Sequence, residues 1–194
     1  MPDDSIFIKF IDEQLSLPLP LAEEIVENFE YVKIQKNDFL LINGTICNKY
    51  MFIHKGFMRS YIVNENGKEI TTNFFSKCQQ AFEPASFFNR SFSAENIQAV
   101  TECCGWTVDF QKMETYFHTN AGYREFGRRL LVKSMVDLKE RMFLLQTETA
   151  ENKYMLLLKH HPDLLQNVPL KQIASYLGIT DTSLSRIRNI TMKK

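Results

Sequence analysis

The sequence lacks the groupings that most metal and redox chemistry requires. Its four cysteines are Cys47, Cys78, Cys103 and Cys104; none forms a C-x-x-C pair, and no histidine stands at zinc-finger spacing from them. An iron–sulfur centre needs clustered thiolates, which scattered cysteines do not supply. Cys103 and Cys104 are adjacent, but neighbours on a strand point to opposite faces, so thiols at rest in a reducing compartment are expected. Of the four histidines, His54, His118, His160 and His161, only His54 falls in the β-rich part of the chain, which leaves no H-x-H ligand pair for a cupin-type metalloenzyme. G-x-S-x-G, P-loop and H-E-x-x-H motifs are absent. Glu83 and Glu95 are the nearest thing to a carboxylate pair, and nothing in the sequence gives them catalytic geometry. No catalytic or metal-binding residue is assigned, no cofactor is expected, and neither is an enzyme.

Long apolar runs are missing too. No stretch reaches the roughly 18 residues that a membrane-spanning helix needs. The opening Met1-Pro2-Asp3-Asp4 is acidic where a secretory signal would be basic and then apolar, so a cytoplasmic protein without a membrane partner is expected. Internal repeats and low-complexity segments are also absent.

What is present suits a domain of about 120 residues with a smaller one attached. Of the 194 residues 44% are hydrophobic and 16 are Phe, enough to fill a compact β core with rings. The net charge is zero but unevenly spread. Residues 1–28 carry seven acids against one lysine, and residues 169–194 carry five bases against one acid. A basic terminal segment on a neutral chain suggests local contact with a polyanion.

Along the chain, residues 5–28 read as short helices with Ile6, Phe10 and Ile11 on one face and breaks at Pro18 and Pro20. From Phe29 to about Phe110, short β-rich runs alternate with turn residues: 31–35, 39–42, 50–54, 58–63, 70–75, 96–101 and 106–110. Asn66-Gly67 between two such runs is a hairpin signal, read as a primed turn with positive φ at both residues. Many short strands at regular spacing predict a sandwich, roll or barrel. From about Asn120 the period becomes helical. Leu131, Met135, Leu138, Met142 and Leu145 recur at spacings of four and three, a short heptad seam. Leu130, Val132, Val136 and Phe143 make a second apolar stripe. A helix with two such faces is expected to pack on its own domain with one and on a symmetry mate with the other. Another helix is expected over 151–160, with Pro162 marking its end or a new start.

The most informative segment is 168–190. Pro169 suits a helix start, Leu170, Ile173, Ala174 and Leu177 form one apolar face, and Gly178 suits a left-handed helix end. Thr180 is a good N-cap for a second helix, Asp181 suits its first turn, and Leu184 and Ile187 face inward. This is a helix-turn-helix layout, with small Ala174 allowing close approach. The second helix then presents Thr182, Ser183, Ser185, Arg186 and Asn189 outward, short hydrogen-bonding groups and one arginine suited to base edges and phosphates. With Lys171 and Thr180, these are the candidate DNA-binding residues.

The sequence as a whole resembles the cyclic-AMP receptor protein (Crp/Fnr) family of transcription regulators. The likeness rests on Asn43-Gly44, Tyr50-Met-Phe-Ile-His-Lys-Gly56, Asn64-Glu-Asn-Gly-Lys-Glu-Ile70, Ile173-Ala-Ser-Tyr-Leu-Gly178 and Ser183-Leu-Ser-Arg-Ile187. It implies an α+β protein: a double-stranded β-helix (jelly-roll-like) sensor over 1–119, a dimerisation helix over 120–147, and a helix-turn-helix domain over 148–194. It also implies a homodimer on a palindromic double-stranded operator, with RNA polymerase as a further possible partner. Arg186 matches the family's recognition-helix arginine, and Thr182 replaces an acidic base reader. In the sensor, Glu83 matches the ribose-binding glutamate, whereas Cys78 and Phe82 stand where glycines are expected and Ser93 stands where the phosphate-binding arginine belongs. Arg90 is nearby but out of register. Glu83, Ser86 and Ser93 are therefore the candidate effector residues, for an unidentified small molecule rather than cyclic AMP. The sequence stops at Lys194 without the family's β-hairpin wing, truncated or absent here, which implies fewer phosphate contacts and a shallower salt dependence, with Lys193 and Lys194 as partial replacements. A second reading stays open: a ligand-binding or protein-interaction module of this fold without sequence-specific DNA binding.

Overall fold

The computed structural model describes residues 4–191, so Lys193 and Lys194 lie outside the described residues. The chain opens with α1 (Ser5–Lys9), which runs on through a π-helical turn (Phe10–Gln14), and then α2 (Leu19–Glu27). Pro18 precedes α2 and Pro20 sits in its first turn, where a missing N–H costs nothing. Eight strands follow: β1 (Glu30–Ile34), β2 (Phe39–Leu41), β3 (Lys49–Lys55), β4 (Met58–Val63), β5 (Glu69–Phe75), β6 (Gln80–Ala81), β7 (Asn96–Ala99) and β8 (Cys103–Asp109). A short helix, α3 (Pro84–Asn89), separates β6 from β7. The strands form two antiparallel four-stranded sheets, ordered β1-β8-β3-β6 and β2-β7-β4-β5.

Seven of these strands lie where the alternating runs predict them. Two-residue β6 is too short to leave an alternation, and α3 too short to leave a helical period. Helix also begins earlier than the periodicity indicates. α4 (Phe110–Thr119) starts directly after β8, with Asp109 capping it by accepting from the Lys112 N–H at 2.7 Å. The β4–β5 hairpin is where Asn66-Gly67 predicts it, but its turn differs. Gly67 has φ 71° and Asn66 is not left-handed. The Gly67 N–H donates to Asn64 O at 2.9 Å, and the Asn64 side chain accepts from the N–H groups of Asn66 and Lys68. The Asn64 carboxamide thus favours a longer turn, closed by one left-handed glycine, over the primed two-residue turn.

The core joins both sheets to the N-terminal helices. Met51, Phe52 and Ile53 from one sheet and Met58 and Ile97 from the other are fully buried. Phe7 of α1 stacks on Phe52 at 4.2 Å and sits 5.5 Å from Trp106, whose indole N–H donates to Asp4 at 2.7 Å. Gly105 in β8 lies so close to β3 that a Cβ there would be 2.1 Å from Phe52 O.

The remaining elements are helical: α5 (Ala121–Thr147), α6 (Ala150–His160), α7 (Pro162–Asn167), α8 (Leu170–Leu177) and α9 (Asp181–Thr191). Tyr123, Phe126 and Leu130 bury the start of α5 against α4 and α2. Beyond Leu130 the helix leaves the β domain. Leu131, Met135, Leu138 and Met142 are exposed, and so are Val132, Val136 and Phe143. The expectation that the second stripe packs on its own domain is therefore met only at Leu130. Val132, Val136 and Phe143 are left about half exposed among the described residues. A second core holds the C-terminal helices, with Tyr154, Leu157, Leu164, Val168, Ile173, Ala174, Leu177, Leu184 and Ile187 packed together and against Phe74 and Val100 of the β domain. No helix among the described residues is long and apolar enough to cross a membrane.

Candidate nucleic-acid interface and sensor site

The helix pair α8–α9 forms around its apolar face. Ile173, Ala174, Leu177 and Leu184 are almost wholly inaccessible, and Ile187 is buried with them. Leu170, expected on this face, is half exposed at the helix start. The turn is set by Gly178 at φ 70°, a left-handed residue that donates to Ser175 O at 3.1 Å, while Ile179 N–H donates to Ala174 O at 3.0 Å. This paired closure satisfies the last carbonyls of α8 and redirects the chain. Thr180 then caps α9, its Oγ1 accepting from the Ser183 N–H at 3.1 Å and donating to Ser183 Oγ at 2.9 Å.

Lys171, Thr180, Thr182, Ser185, Arg186 and Asn189 are exposed. Ser183 is half-buried, its hydroxyl engaged by Thr180. Thr182, Ser185, Arg186 and Asn189 lie on the side of α9 opposite Leu184 and Ile187, at the spacing that puts them on one outward face. Arg188, which sequence reasoning left aside, is half-buried on the same helix.

The candidate effector residues spend their polar groups inside the protein. Glu83 caps α3, accepting from the N–H groups of Ala85 at 3.1 Å and Ser86 at 2.5 Å. The Ser86 hydroxyl accepts from the Cys47 N–H at 2.8 Å and donates to Ser91 O at 2.6 Å. Ser93 Oγ accepts from the Glu95 N–H and donates to the Glu95 carbonyl. Arg90 sits left-handed at φ 55°, donates to the carbonyls of Cys47 and Phe87 and to the Asn48 side chain, and lies 4.0 Å above the Phe110 ring. Around this loop Phe82 contacts Tyr50, Phe87 and Phe88 with ring centroids 5.2 to 6.1 Å apart. Phe82 thus fills space that a glycine would leave open. Cys78 is elsewhere. It occupies the β5–β6 turn at φ 63°, a conformation that favours glycine, and lines a surface groove with Ile6, Lys9, Phe10 and Lys133.

One polar cluster escaped sequence reasoning because its members are distant in the chain. The hydroxyls of Ser60 and Thr72 lie 2.7 Å apart, beside the Glu95 carboxylate. Burial pushes the Glu95 pKa up and the nearby Glu83 charge adds to this, against the lowering effect of the two hydroxyls. The cluster contains no basic group. Among the described residues, no group of three or more His, Cys, Asp or Glu side chains is placed to hold a metal ion.

Residues 31–120 match the cyclic nucleotide-binding domain family. That stretch resembles cyclic nucleotide-binding domains. Solved structures place that domain in a wider fold. FixK2 from Bradyrhizobium japonicum superposes with a TM-score of 0.70 at 17% identity, covering 85% of each chain. The c-di-GMP-responsive global regulator CLP from Xanthomonas campestris gives a TM-score of 0.69 at 12% identity, over 91% of this chain and 92% of its own. A regulator described as of the Crp/Fnr family, from Eubacterium rectale, gives 0.68 at 17% identity, over 92% and 85%. No curated protein sequence matches the chain significantly. These structural likenesses run through the helical half as well, so the nucleotide-binding-type domain, α5 and the α8–α9 pair together have the fold of Crp/Fnr-type regulators.

Proposed function

We propose that the chain is a DNA-binding transcription regulator of the Crp/Fnr type, not an enzyme, acting in the cytoplasm as a homodimer on a palindromic operator. The observation that carries this is the α8–α9 pair. Its buried face and left-handed Gly178 fix the crossing, and Thr182, Ser185, Arg186 and Asn189 are left exposed together on α9. Domain limits of 1–119, 120–147 and 148–194 follow, with the long helix between sensor and reader. The exposed seam at Leu131, Met135, Leu138 and Met142, continued by half-buried Leu145, supports a two-fold partner along α5. RNA polymerase is a further partner consistent with that role.

The sensor is proposed to respond to something other than cyclic AMP. A cyclic phosphate needs a cationic fork and free backbone N–H groups. Here Arg90 is held by carbonyls and the Phe110 ring, the α3 N–H groups are capped by Glu83, and the remaining polar cluster is acidic. Glu83, Ser86 and Ser93 then act as scaffold for the loop rather than as direct ligand contacts.

The test is selection from a randomised duplex pool, followed by gel shifts of the selected duplex with wild type and Arg186→Ala. Loss of a bidentate arginine–guanine contact costs about 1–3 kcal/mol and relaxes specificity at one position of each half-site. No enrichment by the wild type would favour the interaction-module reading, and unchanged binding by Arg186→Ala would remove that residue from the interface.

A further inference from the structure

The head that carries α9 does not hang free from α5. Strand β5 is the outer strand of its sheet, so part of its backbone lacks a strand partner. Helix α8 lies against it. The Thr71 N–H donates to Ser175 Oγ at 2.9 Å, and that hydroxyl reaches the Glu69 carbonyl at 3.5 Å. One serine thus bridges a donor and an acceptor on the exposed edge. Beside it, the Tyr176 ring is held from two directions. Phe74 of β5 contacts it at 4.9 Å, and the Arg141 guanidinium of α5 lies 3.6 Å from its centroid. Arg141 also donates to Tyr176 O at 3.4 Å. Burial lowers the Arg141 pKa, so this charge is held in a poorly solvated place with the ring face as a main electrostatic contact.

Two further features set what the contact does. First, it is imperfectly satisfied. Arg59 Nε and Thr71 Oγ1 on the sheet, and Gln172 Oε1 on α8, are buried without a hydrogen-bond partner among the described residues. Arg59 pairs in register with Phe74, so its side chain shares the face that meets the head. Buried polar groups without partners weaken a contact relative to a fully satisfied one. Second, docking leaves the outward face of α9 exposed, so it does not mask the reading residues. It fixes their direction instead. Arg141 immediately precedes Met142, so a rotation of α5 about its seam moves Arg141 relative to Tyr176.

We propose that the Phe74–Tyr176–Arg141 stack is an orienting joint, through which the sensor strand β5 and the long helix α5 together set the direction of the DNA-reading head. The functional half of this rests on the DNA-binding reading above; the mechanical half does not. Hydrogen exchange of the full-length protein, read by mass spectrometry on peptides spanning β5, tests the mechanical half. Arg141→Ala alters a residue far from β5 in sequence, yet it is expected to speed exchange at Thr71 at least tenfold while leaving β3 and β8 unchanged. Tyr176→Phe keeps the ring and is expected to behave as wild type. Unchanged β5 exchange in Arg141→Ala overturns the joint. Gel shifts of the same variants on the duplex selected by the wild type test the functional half. A change in affinity of fivefold or more in Arg141→Ala, absent in Tyr176→Phe, supports it, and faster exchange with unaltered affinity reduces the contact to a structural one. If the wild type selects no duplex, the DNA reading fails, and the exchange result still decides whether the joint exists.

Discussion

Replacing Leu138 by Asp is the sharpest test of the proposed dimer. Leu138 is 67% exposed in the single chain and central in a row with Met135 at 65%, Met142 at 45% and Leu131 at 44%. Full burial of such a side chain is worth about 1.5–3 kcal/mol, so covering two-thirds of it yields roughly 1–2 kcal/mol per copy. Two-fold symmetry brings both copies into one interface, giving about 2–4 kcal/mol for this position alone. Aspartate removes that term and sets two carboxylates near each other in the seam. The dissociation constant is therefore expected to rise by roughly 30- to 1000-fold at about 1.4 kcal/mol per decade. Sedimentation velocity over a dilution series reads this directly, with Glu140→Ala, an exposed change off the seam, as control. Wild-type-like self-association of Leu138→Asp, or a wild type monomeric at every concentration, would refute the reasoning. DNA affinity is expected to fall in parallel, since a monomer engages one half-site.

Other positions give independent checks. Thr180→Ala removes the α9 cap and is expected to cost about 1 kcal/mol, seen as faster amide exchange in the first turn of α9 with the β domain unaffected. Glu95 has its pKa raised above the ordinary 4.5, so its contribution to stability is full below that value and is lost as pH rises through the folded-state pKa. Glu95→Gln should accordingly melt higher than wild type at neutral pH, with the difference vanishing on acidification below the ordinary pKa. Glu125 is the opposite case. Hydrogen bonds from Arg128 and Arg129 lower its pKa to about 2, so its ion pairs persist above the ordinary 4.5 and are lost only as pH falls toward 2. A carboxyl NMR titration with a midpoint at the ordinary value would contradict that geometry. Gly105→Ala pushes a Cβ to 2.1 Å from Phe52 O and is expected to destabilise the β domain by about 3 kcal/mol through forced separation of β3 and β8.

The uneven legibility of the sequence has a physical basis. The α8–α9 pair was readable because its determinants are local: the start at Pro169, the period of Ile173 and Leu177, the left-handed Gly178 and the Thr180 cap all act within a few residues. Strands β1 to β5, β7 and β8 were readable for the same reason, through alternation and turn residues. The sensor site was less so. Whether Glu83, Ser86 and Ser93 face a ligand or one another depends on how α3 folds against Cys47 and Ser91, and six residues of helix leave no period to find. The Glu95–Ser60–Thr72 cluster joins three separate strands or loops, and only the β4–β5 register brings Ser60 and Thr72 together. The two stripes of α5 were visible, but which of them the β domain covers is a matter of reach. That coverage ends at Leu130, and the exposed remainder of α5 is bounded near its far end by Arg141 on Tyr176. The same helix therefore carries one exposed apolar length, the seam of the proposed dimer, and one charged contact to its own head. In the proposed dimer, a change in packing along the seam would act on the α8–α9 pair through the Arg141–Tyr176 contact.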